Sequence, residues 1–245
     1  MWTGKLGFIA KAIVPVSVAG VVLTQASTTA LSQEATGAIE GRITFGGSPP
    51  APLFVPESGG SQPVLYVDRS GGLRYAVIYL ADALPTRRPV RPTATMTQRN
   101  FVFEPQVLAI RAGATVKFTN DDSANHNVRV RDADPTNTFS LNTAPGSAVP
   151  NTHRFAATEG RPLQLSCDIH PWMTAWIFVF DHDAFAVSGA DGTFRIDHVP
   201  EGRHRMIVRQ PSARLTRDGV VDVQPNKTAR LDVRFSTADI GMPSR

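Results

Sequence analysis

Cysteine is nearly absent from this chain: Cys167 is the only one among 245 residues. No intramolecular disulfide can form, so the fold must be held by its cores. A structural zinc site, which usually needs four Cys or His ligands, often in Cys-x-x-Cys pairs, is excluded for the same reason. Catalytic signatures are missing as well, with no G-x-S-x-G elbow, no phosphate loop and no H-E-x-x-H. No segment carries a long helical stripe. Charge of one sign is not concentrated either, since 25 Lys and Arg face 21 Asp and Glu, a formal net charge of +4. The arginines are scattered without interleaved aromatics, which reads as a solvated surface suited to an acidic partner rather than to nucleic acid.

The N-terminus has the pattern of an export signal. Lys5 and Lys11 precede an apolar run from Ala12 to Leu23, and small or polar residues follow to Ala30, with cleavage expected after Ala26 or Ala30. The run is shorter than the ~20 apolar residues of a spanning helix. Residues 1–30 are therefore expected to be removed, with membrane attachment only if the segment stays uncleaved. No cysteine follows it, so no lipoprotein anchor is expected. Loss of the two lysines lowers the formal charge from +4 to +2. The destination expected is periplasmic or secreted, where a free exposed thiol would be a liability.

The rest of the chain alternates like a β protein. Ile39, Ile43 and Phe45 share one face of a strand, Ala76 to Leu80 and Trp176 to Phe180 are short apolar runs, and Val116 and Phe118 flank Lys117. Gly46-Gly47, Ala112-Gly113, Glu159-Gly160, Asp191-Gly192 and Glu201-Gly202 punctuate these runs as turns. Short strands at such spacing argue for sandwiches, an all-β fold class with very little helix.

The chemistry gathers in Cys167-Asp168-Ile169-His170-Pro171-Trp172-Met173, which sets a thiolate, an imidazole and a thioether at relative positions 0, +3 and +6 of one loop. A second imidazole, His126, stands upstream in Asn120-Asp121-Asp122-Ser123-Ala124-Asn125-His126-Asn127-Val128. Any one of these residues alone would read as core filler or a surface histidine. Together, two nitrogens and one sulfur in a plane with a weak axial methionine form the ligand set of a blue-copper electron-transfer site.

The order His, then Cys-x-x-His-x-x-Met, resembles the cupredoxins. The loop is similar to that of amicyanin, and Asn120 to Val128 to the upstream histidine loop of plastocyanin. The resemblance covers about Thr93 to Asp181 and implies a Greek-key sandwich. It implies one type 1 copper ion held by His126, Cys167 and His170 in the plane and by Met173 on the axis. It also implies that Asn127 ties the two ligand loops together and that the edge of His170, if exposed, is the electron port. Trp172 is expected to pack over the site as an apolar lid, with an electron relay as the alternative role. In multicopper oxidases and copper nitrite reductases a histidine beside the copper cysteine links it to a catalytic metal. Here the neighbours are Ser166 and Asp168, so a non-enzymatic electron carrier without small-molecule substrate is expected, working between unknown redox partner proteins. His153, His182, His198 and His204 lie outside the motif, and for His182 a salt bridge with Asp181 or Asp183 is the simplest role.

The flanks resemble a carboxypeptidase regulatory-like, transthyretin-like sandwich, through Gly37 to Phe45, Ala76 to Leu80 and Asp191 to Val208. Neither flank has strands enough to close a core alone. The organisation expected is therefore a split sandwich, residues 37–92 plus 183–235, carrying the copper domain 93–182 as an insertion, with 236–245 a flexible tail. Competing readings are a copper-binding delivery or sensing protein, and a surface interaction module whose metal site is secondary.

Overall fold

A computed structural model describes residues 1–4, 35–83, 85, 90, 93–147 and 151–241. The export-signal reading and most of the 84–92 loop fall outside the described residues. From residue 35 onward the described chain is almost entirely strand and turn, as the alternation predicts. No described helix is long and apolar enough to cross a membrane.

The strands fall into three consecutive groups. The first holds β1 (Thr36–Gly46), the small hairpin β2 (Leu53–Val55) and β3 (Gly60–Gln62), and β4 (Val77–Leu80). The second holds β5 (Thr93–Arg99), β6 (Val102–Glu104), β7 (Val107–Arg111), β8 (Thr115–Asn120) and β9 (His126–Val130). It continues through β10 (Phe139–Thr143), β11 (Asn151–Arg154), β12 (Leu163–Ser166) and β13 (Thr174–Phe180). The third holds β14 (Phe185–Val187), β15 (Thr193–Pro200), β16 (Gly202–Gln210), β17 (Leu215–Val223), β18 (Thr228–Arg230) and β19 (Val233–Ser236).

Pairing joins the first group to the third. One sheet is ordered β15-β1-β18, with β19 also on β1, and its companion is β14-β4-β16-β17. The middle group pairs only within itself, as β10-β9-β12-β13-β7 facing β11-β8-β5-β6, a Greek-key sandwich whose connections pass from sheet to sheet. A sandwich made of two distant stretches thus carries a second sandwich between them.

Three apolar clusters follow from this layering. The flanking sandwich buries Ile39, Ile43, Phe45, Ile78, Leu80, Phe194, Met206 and Phe235. The central sandwich buries Met96, Phe103, Val116, Phe118, Leu165, Ile177 and Val179, with Cys167 and Met173 in the same cluster. The third, Tyr75, Val77, Tyr79, Val107, Phe178, Phe180 and Ile207, joins β4 and β16 to β7 and β13. Side chains on a strand alternate between faces. Ile78 and Leu80 therefore enter one core while Val77 and Tyr79 enter the junction, and Ile177 and Val179 enter the central core while Phe178 and Phe180 enter the junction. That two-sided burial is why these two runs are continuously apolar. Each buried aromatic here contributes roughly 1.5–3 kcal/mol relative to exposure.

Residues 236–241 depart from the expected flexible tail, the rest of which lies outside the described residues. Thr237–Asp239 form a 3-10 turn after β19. The Asp239 carboxylate accepts the Ser236 N–H and hydroxyl at 2.8 and 2.9 Å and pairs with Arg217 at 2.9 Å. Gly241 donates to the Ala213 carbonyl at 3.0 Å. Polar side chains that read as tail-like in sequence here cap a turn and dock it on β17.

Gly160 sits at the junction with φ +76°, and a Cβ there would lie 2.5 Å from the Tyr79 ring. Its carbonyl accepts Arg209 Nη1 at 3.0 Å. Gly160→Ala is expected to destabilise the protein by about 2–4 kcal/mol, through left-handed strain and overpacking of the third cluster. Urea unfolding measures this as a lower midpoint.

Candidate metal centre

The pairing of β9 with β12 assembles the site. They run antiparallel with Val130 opposite Leu165 and Arg129 opposite Ser166. Extending that register past the end of β12 carries Cys167 opposite Val128 and Asp168 opposite Asn127, the neighbour of His126. Asn127 closes the gap: its Oδ1 accepts the Asp168 N–H at 2.7 Å and its Nδ2 donates to Asp168 Oδ2 at 2.7 Å. Arg129 pairs with the other oxygen of Asp168 at 2.5 Å. The tie between the ligand loops that the sequence implied for Asn127 is therefore present in the geometry.

The second loop closes on itself. Cys167 N–H donates to the Met173 carbonyl at 3.2 Å, and Met173 N–H donates to the His170 carbonyl at 2.9 Å. Cys167, His170 and Met173 are thereby held in one tight turn between β12 and β13, and all three are buried.

The ligand-type atoms of His126, Cys167 and His170 all lie within 4.8 Å of one another. His126 Nδ1 and His170 Nδ1 are 2.9 Å apart, and Cys167 Sγ is 3.8 Å from His170 Nδ1. Both imidazoles thus offer the same nitrogen to the centre. Among the described residues this is the one group of three such donors that converges. Met173 is fully buried in the same apolar cluster as Cys167.

Asp122 was not singled out by the sequence reading. Its Oδ2 lies 2.9 Å from His126 Nε2, and its carboxylate also accepts the Asn100 and Phe101 N–H groups at 2.6 and 3.0 Å. One carboxylate therefore fixes the His126 ring, leaving Nδ1 for the centre, and pins the β5–β6 turn, where Asn100 and Phe101 both take positive φ. Orientation of a ligand histidine through its other nitrogen is a general device of metal sites. The available signal was a carboxylate four residues before the histidine.

Phe101, also missed, is held over the site by that turn. Its ring meets the His126 and His170 rings edge-on at 5.4 and 5.2 Å. Trp172 donates its indole N–H to the Phe101 carbonyl at 3.2 Å, and its ring centroid is 5.4 Å from that of His170. The lid expected of Trp172 is thus shared with Phe101. Beneath it His170 is only 7% exposed, so the open ring edge on which its port role depended is nearly closed.

Burial raises the Cys167 thiol pKa, but the His126 imidazole and the N–H groups of Asn127, His170 and Ile169 outweigh it, and the value falls to about 6. Burial likewise disfavours a charged His126, yet Cys167 and Asp122 outweigh it and raise its pKa. The site therefore favours thiolate at neutral pH, the form a metal binds.

The other histidines play local roles. Among the described residues His182 makes no salt bridge: its Nδ1 accepts the Ala184 N–H at 3.1 Å, while Asp183 pairs with Arg111 at 2.8 Å. Burial is the main reason its pKa is lowered, and a neutral ring serves as the acceptor there. His153 stacks on Phe139 and bonds the Thr136 carbonyl.

No family model matches this chain, and no curated protein matches it. Among solved structures it is similar to a purple cupredoxin from Nitrosopumilus maritimus, at 26% identity over 35% of this chain and 98% of that one, with a TM-score of 0.28. It is similar to amicyanin from Paracoccus versutus at 17% identity, over 42% of this chain and 96% of that one, with a TM-score of 0.30. A copper-containing nitrite reductase from Thermus scotoductus is similar at 20% identity over 56% of this chain but only 28% of the enzyme, with a TM-score of 0.30. The chemistry of the site is read from its own donor atoms.

Two outcomes are expected from this geometry. Asn127→Ala removes the clamp on Asp168 and should lower stability by about 1–3 kcal/mol, measured by chemical denaturation of metal-free protein. Thiolate absorbance of metal-free protein should titrate with a midpoint near 6. Asp122→Asn should move that midpoint upward, because a less basic His126 supports the thiolate less.

Proposed function

We propose that this chain is an exported blue-copper protein that carries single electrons between redox partner proteins and does no bond chemistry. One observation carries the reading: two imidazole Nδ1 atoms and one thiolate-prone sulfur converge, buried, at one end of a β-sandwich, from loops clamped by Asn127. In this reading His126, Cys167 and His170 would hold one copper ion and Met173 would offer a further, weaker sulfur ligand. The donor set fits the metal, since a Cys, two His and a Met match the soft and borderline ligands that select copper. Zinc in a structural role would call for a fourth Cys or His.

When bound, copper supplies a one-electron Cu(II)/Cu(I) couple. The chain's own residues do the rest. Asp122 holds the His126 ring with Nδ1 inward, the His126 imidazole and the backbone N–H groups around Cys167 keep it as thiolate, and the closed 167–173 turn fixes the spacing of the donors. Phe101 and Trp172 exclude water from above. A rigid sandwich limits how far the donors move when the oxidation state changes, which favours fast electron exchange. With Ser166 and Asp168 beside Cys167, no neighbouring histidine relays electrons to a second metal. The flanking sandwich is read as the carrier domain, residues 37–92 plus 183–235, with residues 93–182 as the copper domain. Export to the periplasm or beyond accords with the N-terminal pattern.

Metal-free protein given Cu(II) should turn intensely blue or green through thiolate-to-copper charge transfer. Cys167→Ser should remain colourless, and Met173→Leu should keep the colour with a shifted reduction potential. A colourless wild-type complex would reject the redox reading.

A further inference from the structure

The flanking sandwich has one long open edge. β17 is the outer strand of the β14-β4-β16-β17 sheet, and it pairs with β16 without a register shift from Gly202↔Val223 to Gln210↔Leu215. On β16 the Arg205 carbonyl accepts the Ala81 N–H at 2.9 Å, so Arg205 turns its backbone groups towards β4. These groups alternate in direction along a strand. Met206 and Val208 therefore turn theirs towards β17, onto Gly219 and Arg217, their partners in the ladder. Thr216, Asp218, Val220 and Asp222 must then aim their N–H and C=O groups outward. Among the described residues no backbone group meets them.

Other edges of that sandwich are blunted. β15 carries a break in register between Gly37 and Ile39, with His198 at φ +56°, and β18 and β19 are short. β14 packs into the junction through Phe185 and Val187. Bulges, short strands and cover keep edges from pairing, and β17 has none of them. Its charges are engaged within the chain, Arg217 with Asp239 at 2.9 Å and Asp218 with Arg205 at 2.6 Å. Val220 stands 51% exposed on its outer face. An open groove of about 340 Å³ lies between Arg217, Asp218 and Gly219 on one side and residues 231–234 on the other, which leaves this stretch of edge accessible.

We infer that β17 pairs antiparallel with β17 of a second copy, about a two-fold axis at Gly219, so that one sheet runs through both copies. Charge selects this register. Centred on Asp218, the pair would set that carboxylate against itself, and centred on Val220 it would set Asp218 against the second copy's Asp222. Like charges directly opposite destabilise a sheet. Centred on Gly219, Asp218 lies opposite the second copy's Val220, and the Thr216 hydroxyl lies opposite the second copy's Asp222 carboxylate. Every outward backbone group of Thr216, Asp218, Val220 and Asp222 then finds a mate. A single strand pair is a small interface, so the dimer is one that forms and dissociates reversibly. The edge shares no residue with the 167–173 loop, and the inference does not rest on the copper reading.

The test combines sedimentation velocity of the full-length protein over a range of concentrations with a cysteine trap. Val220→Pro removes an outward N–H but no bond to β16, a change that edge strands tolerate. It should stay folded and raise the dimer Kd about tenfold. The trap uses a Cys167→Ala background, which leaves no other thiol. A Cβ on Gly219 meets nothing within 4 Å. Directly opposed residues of a non-hydrogen-bonded antiparallel pair lie about 4.5 Å apart, within disulfide reach. Gly219→Cys should therefore yield a reducible covalent dimer under mild oxidation, and Asp222→Cys, opposite the second copy's Thr216, should not. The inference is overturned if the protein stays monomeric at about 1 mM, or if Val220→Pro dimerises like the wild type. Cross-linking of Asp222→Cys as readily as Gly219→Cys would overturn it as well.

Discussion

The register between β9 and β12 is the constraint on which the site depends. His126 and Cys167 are far apart in sequence, and only antiparallel pairing of Val130 with Leu165 and Arg129 with Ser166 brings their strand ends together. A slip of one residue would turn Leu165 out of the core and carry Cys167 with it to the opposite face. Val128, Val130 and Leu165 are all fully or almost fully buried, so such a slip would expose apolar surface along the whole pair. Core burial therefore fixes the register, the register fixes the donors, and the Asn127–Asp168 clamp carries the match into the loops beyond the ladder.

The same physics links the two sandwiches. β4 and β13 are buried on both faces, so each belongs to its own sandwich and to the junction between them. Phe178 and Phe180 pack towards the flanking sandwich, and Ile177 and Val179, next to them in sequence, pack towards the core that contains Cys167 and Met173. The carrier sandwich thereby becomes part of the frame of the candidate metal centre rather than a loosely tethered neighbour.

Much of this was legible in the sequence, and what was missed has physical reasons. Ile39, Ile43 and Phe45 alternate because β1 has one face on a core, and all three are buried. The Cys-x-x-His-x-x-Met spacing was readable because its donors share one short loop. Phe101 was not, because its role comes from the β5–β6 turn, which no local spacing ties to the site, and for Asp122 the only local signal was its place four residues before His126. The turn after β19 was misread as a tail because Asp239 acts through Ser236 and Arg217, one a neighbour and the other on β17. The unbroken apolar runs at 76–80 and 176–180 did carry the signal of a buried junction, for a one-sided strand would have alternated.

The central claim is that one sulfur and two ring nitrogens from these loops bind the same copper ion. X-ray absorption at the copper edge of the loaded protein tests it most directly. The account predicts one short thiolate sulfur and two imidazole nitrogens around copper, with the sulfur shell absent in Cys167→Ser. A copper environment of nitrogen and oxygen alone, unchanged by that substitution, would contradict it.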